Sequence, residues 1–108
     1  MQEILTEFAE MLGTMEIPVA NGEFLDLTEC PYISFFVYRN NPVRADGIPV
    51  ANYAEVEVHL ITKGIRDYAL EDQLEALLTD NGYPYAIDYT QNIEQRVYEV
   101  TYTTTIYE

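Results

Sequence analysis

Glu55, Glu57 and His59 follow one another at every second position. In a strand that spacing puts all three on one face, close enough to share a proton or a metal ion, and imidazole is a common ligand. The same alternation also describes a solvated strand face, because a metal site needs further ligands that nothing in the sequence names. Pairs such as Glu71 with Asp72, or Asp26 with Glu29, have the residue types of a general acid and base. With 19 acidic residues in the chain such pairs arise by chance, and a sugar cleft would usually add Trp, which the sequence lacks. Cys30 precedes Pro31 in a region expected to pack, which suits a small buried residue better than a nucleophile. One His and one Cys leave little material for a metal cage or a catalytic triad. No Gly-rich phosphate loop is present. The expectation is a structural or binding protein, not an enzyme, with no cofactor and no metal.

The charge balance narrows the partners. The chain has 108 residues, with 19 Asp and Glu against five Lys and Arg, for a net charge of −14. Such a surface repels the phosphates of a nucleic acid. At 48% hydrophobic the chain still has enough apolar material for one folded domain, expected over residues 1–108. A lone cysteine allows no intrachain disulfide and fits a reducing compartment. The first twelve residues carry Glu3, Glu7 and Glu10, unlike a secretory signal, and no stretch approaches a membrane span. A soluble, intracellularly made protein with no membrane partner is expected.

Local patterns supply the elements. Ile4, Leu5, Phe8, Met11 and Leu12 fall at helical spacing, with Gly13 as a stop. Residues 17–24 read as an extended piece, broken by Pro18 and the Asn21-Gly22 pair. Tyr32 to Tyr38 is dense in aromatic and β-branched residues and reads as a strand. Asn52 to Thr62 alternates. Ala54, Val56, Val58 and Leu60 point one way; Tyr53, Glu55, Glu57, His59 and Ile61 point the other. Asp67 caps a second helix striped by Leu70, Leu74, Leu77 and Leu78 and ended by Asn81-Gly82. Two more strands follow, one with Tyr85, Ile87 and Tyr89 on a face, the other with Tyr98, Val100, Tyr102, Thr104 and Ile106. Residues 91–96 hold the turn between them. The fold class expected is α+β: a single domain with a mainly antiparallel four-stranded sheet and two helices on one face, in the order α-β-β-α-β-β. The other face carries Tyr, Thr and Glu, and is either wet or covered by a partner. The ten tyrosines suit a subunit contact and suit ordinary strand formation equally well.

The segment from Asn40 to Gly47 reads as a loop from its Asn, Pro and Gly content, with Asp46-Gly47 as a turn. A connection of about ten residues, to Pro49, exceeds the usual hairpin loop of 2–5 residues. Long loops on rigid sheets often make contacts, so Arg39, Asn40, Asn41, Arg44, Asp46 and Gly47 form a candidate subunit contact arm. Arg39 and Arg44 are two of only five cationic side chains, and could dock on the acidic surface of a second copy.

Several pieces in order resemble the tail terminator, tail completion and head–tail joining proteins of long-tailed bacteriophages. They are Pro18-Val19-Ala20 through Phe24; Pro31-Tyr32-Ile33 opening an aromatic strand; and Ala45-Asp46-Gly47. Then come Glu57-Val58-His59-Leu60-Ile61-Thr62 with Lys63 and Asp67; the helix with Leu70-Glu71 and Leu74-Glu75; and Tyr98-Glu99-Val100-Thr101-Tyr102. The chain departs at Asn21, where that pattern has an aromatic. The resemblance implies a virion structural subunit that forms a hexameric ring at the head-proximal end of the tail tube. Such a ring stops tube growth and offers the head its attachment surface. The implied partners are further copies of the chain, the tail tube protein and a head-side connector or neck protein. DNA would be only cargo passing through the lumen. The implied location is the virion tail, assembled in the bacterial cytoplasm. A head–tail joining ring is the alternative within this resemblance. Outside it stand an acidic mimic of DNA that blocks a nucleic-acid-binding protein, and a small enzyme using Glu55, Glu57 and His59.

Overall fold

The apolar stripe of the N-terminal segment builds α1 (Gln2–Gly13). Phe8 and Leu12 are wholly buried, and Ile4, Leu5 and Met11 pack beside them. This is a computed structural model, and it describes residues 2–21, 31–45, 48–92 and 94–107. Cys30, Asp26, Glu29, Asp46 and Gly47 lie outside the described residues.

Among the described residues five strands form one sheet in the order β1-β2-β3-β5-β4, where four were expected. The additional strand is β1 (Val19–Asn21), which pairs parallel to the start of β2 (Tyr32–Ala45), with Val19 opposite Ile33. This makes the sheet mixed. A three-residue strand is too short for its period to register in the sequence. The remaining pairings are antiparallel, as expected. β3 (Ile48–Lys63) lies between β2 and β5 (Val97–Tyr107), and β4 (Tyr85–Asn92) closes the sheet beside β5.

β2 and β3 run well past the limits set by the aromatic and alternating runs. The segment from Asn40 to Ala45 is strand, not loop, and Ala45 pairs with Ile48. The ladder therefore needs only two connecting residues in place of the ten-residue loop. Pro42 and Pro49, a residue type common in loops, both lie within these strands. Proline is tolerated where a strand has a free edge, because its missing N–H then costs no ladder bond.

Register aligns the apolar residues in rows across one face. Val19, Ile33, Leu60 and Val100 make one row, and Phe35, Val58 and Tyr102 the next. Val56 stands opposite Thr104, and Ala54 opposite Ile106. Onto this face pack Phe8 and Leu12 of α1 and Leu74 and Leu78 of α2 (Tyr68–Asp80), all in one hydrophobic cluster. Phe8 meets Phe35 and Tyr83 edge-on at centroid distances of 6.0 and 5.1 Å, a geometry that aromatic rings favour.

α2 begins and ends where its sequence dictates. The Leu70 amide donates to Asp67 Oδ1 at 3.0 Å, the N-cap bond. At the other end the Asn81 side chain donates to the Leu77 carbonyl at 2.8 Å, and Gly82 takes φ +79°. That left-handed conformation favours glycine.

Leu74→Ala should cost about 2–5 kcal/mol in denaturant unfolding, because the side chain is wholly buried between α2 and the sheet. Leu70→Ala, at a partly buried position, should cost less. Equal losses would mean that the stripe does not seat on the sheet as described.

Candidate functional site

The candidate arm is a ribbon. β5 ends at Tyr107, opposite Tyr53. Beyond that pair, among the described residues, β2 and β3 pair only with each other, from Pro42 opposite Asn52 to Ala45 opposite Ile48. Arg39, Asn40, Asn41 and Arg44 all lie on β2, with Arg39 opposite Glu55 and Arg44 opposite Pro49. Register shifts between Val37 and Arg39, and between Val43 and Arg44, mark irregularities that bend and twist such a ribbon. Tyr38, at the first of them, is 59% exposed. The molecule measures 52 × 25 × 22 Å, with a radius of gyration of 15.1 Å. A compact chain of this length would have about 13 Å, so the protein is elongated.

On the outer face of β3 the expected trio is only partly assembled. His59 Nδ1 contacts a carboxylate oxygen of Glu99 on β5, and Thr101 Oγ1 lies 3.2 Å from the same nitrogen. Glu57 approaches Nε2 at 3.4 Å, but among the described residues Nε2 makes no hydrogen bond. Phe36 stands edge-on to the imidazole at 5.2 Å. The cluster is thus Glu57, His59 and Glu99. Glu55 lies further along the strand, opposite Thr105. Glu99 was missed because its proximity arises from β3–β5 pairing, which no local pattern in the sequence displays.

This arrangement is poor for metal chemistry. The two carboxylates approach opposite nitrogens of one ring, so they do not converge on a common point. Among the described residues no three His, Cys, Asp or Glu side chains are placed to hold a metal ion. One surface depression lies along Gly82 to Ala86 and Thr103 to Tyr107, another between α1 and β1. Neither includes His59.

A second polar cluster, which no local pattern in the sequence displays, ties α2 to the sheet. Arg66 Nε and an Nη donate to the two carboxylate oxygens of Glu71 at 2.8 and 2.7 Å. Glu71 is only 5% exposed. The guanidinium also lies 4.7 Å from the Tyr68 ring and 4.1 Å from the Tyr89 ring. The bond to Glu71 raises the Arg66 pKa above its already high value. Glu71 is therefore the buried half of an ion pair, not a member of an acid–base pair with Asp72. Nearby, the hydroxyls of Tyr102 and Tyr85 donate to Glu75 at 3.0 and 3.4 Å. Burial first, then the Glu75 bond, pushes the Tyr102 hydroxyl far above the usual tyrosine range.

No helix among the described residues is long and apolar enough to cross a membrane. The sequence matches no known protein family and no curated protein.

Arg66→Ala should destabilise the protein by about 2–3 kcal/mol in denaturant unfolding, because it leaves the Glu71 carboxylate buried without its partner. Adding Glu71→Met should restore much of that loss. A double variant as unstable as the sum of the two single variants would mean that the pair is not coupled.

Proposed function

We propose that this chain is a structural subunit of a tailed-phage virion, a ring protein of the tail terminator or tail completion kind. The observation that carries the reading is the ribbon projecting past the sheet, with Arg39 and Arg44 on one strand of an otherwise acidic chain. Opposite charges on two regions of one surface favour contact between copies over contact with nucleic acid. Head-to-tail contacts between identical subunits close into rings when the rotation permits. The ring would bind the tail tube on one side and a head-side protein on the other. DNA would pass through its lumen without being gripped, since an acidic wall repels phosphate. The Arg66–Glu71 pair suits this reading as a structural contact, since the guanidinium directs two donors at the Glu71 carboxylate.

Electron microscopy of lysates after deletion of the gene from its source phage tests the assignment. Overlong or irregular tails beside filled, unattached heads are expected. Tails of normal length detached from filled heads would make the protein a head–tail joiner. Intact infectious particles would overturn the virion reading in favour of an acidic mimic of DNA.

The ribbon can be tested separately by closing the hairpin at the Asn41–Tyr53 pair with an Asn-Gly turn. The shortened protein should keep the circular dichroism of the parent and lose ring formation. A ring that survives the deletion would remove the ribbon from the subunit boundary.

A further inference from the structure

We propose that copies of this chain join edge to edge into one continuous sheet, with β4 of one copy adding antiparallel to the outer edge of β2 in the next. The inference rests on the ring reading and specifies its contact.

β4 is an unguarded edge. It pairs with β5 over eight residues, Tyr85 to Asn92, in unbroken register. Among the described residues nothing pairs with its other side. Natural edge strands are usually blunted by proline, lysine, a bulge or shortness. Between Tyr85 and Asn92 there is no proline, no lysine and no register shift. Ile87 is 52% exposed and Tyr89 37% exposed on the helix side of this strand. A bare ladder flanked by apolar side chains is a template for strand addition.

The outer edge of β2 has the length to receive it. β1 pairs only with Ile33, Ser34 and Phe35. From Phe36 to Ala45 no described residue pairs with that edge, a run of ten against the eight of β4. Pro42 lacks an N–H and removes at most one bond from the shared ladder.

Strand direction fixes the geometry. β2 is antiparallel to β3, β3 to β5, and β5 to β4. After three reversals β4 runs opposite to β2. A second copy displaced sideways in the same orientation therefore presents its β2 antiparallel to β4. Both helix layers then stay on the same side of the combined sheet. This contact is head-to-tail, the kind that closes a ring.

Charge selects this pairing over its rivals. Between Tyr32 and Ala45, β2 carries Arg39 and Arg44 and no carboxylate. β4 carries Asp88 and no cation. Two β4 strands paired about a two-fold axis would bring their Asp88 side chains close near the middle of the contact. Two β2 strands would gather four arginines. Like charges across a ladder are destabilising and opposite charges favourable.

The test uses the full chain with Cys30→Ser. One preparation carries Thr90→Cys, on the outer-face register of β4, and another carries Asn41→Cys, on the outer-face register of β2. Mixed and oxidised, they should give the mixed disulfide in excess of either self-disulfide. Native mass spectrometry of the cysteine-free chain should find oligomers. Hydrogen exchange should find alternate β4 amides, and amides within 36–45, protected in the oligomer and not at dilutions where it dissociates. An oligomer in which Thr90→Cys links mainly to itself, or in which β4 gains no protection, overturns the edge pairing and leaves the ring reading standing. A chain that stays monomeric at every soluble concentration also overturns it. The tail-morphology experiment then decides the fate of the virion reading on its own.

Discussion

Ala54, Val56, Val58 and Leu60 are each buried to 1% exposure or less, and they alternate with Glu55, Glu57 and His59. That alternation decides which side of β3 is dry. Because β3 is paired along both edges, its choice propagates to Ile33 and Phe35 on one side and to Val100 and Tyr102 on the other. A slip of one residue would turn carboxylates toward Phe8, Leu12, Leu74 and Leu78. The two helices, for their part, can bury their stripes only on the apolar face. The position of every other element follows from this single strand.

The interior was legible because burial leaves a period. The leucine stripe of α2, the apolar stripe of α1 and the inward residues of β3 and β5 could all be read from spacing, and so could the cap at Asp67 and the stop at Gly82. What escaped notice has no period. β1 is three residues long. The strand from Asn40 to Ala45, NNPVRA, has no alternation of apolar and polar residues in its sequence. Its Asn and Pro content therefore resembled a loop, although the backbone is paired throughout. Tertiary pairs were equally hidden. Arg66 meets Glu71 only because the turn before α2 folds the guanidinium back onto the helix, and Glu99 reaches His59 only across two strands.

The polar clusters show how a chain this acidic remains folded. The single buried carboxylate of α2 is held by both arms of a guanidinium, itself packed against Tyr68 and Tyr89. Glu75 accepts from two tyrosines. Most other described carboxylates face water, where their mutual repulsion is screened by salt. Negative charge thus gathers on the outside, where it influences what approaches the protein more than it influences the fold.

The direct connection between β2 and β3 bears on the order in which the chain assembles. Thirteen residue pairs join these strands, starting from a link of two residues. Such a ladder can zip from its tip with little loop-closure entropy. Pairing Tyr53 with Tyr107, by contrast, must enclose α2 and β4. Contacts of low sequence separation form fastest. The part of the hairpin nearest its two-residue link is thus the part whose strands meet soonest. It gives β3 a partner before β5 arrives, and so sets the register that the rest of the sheet adopts.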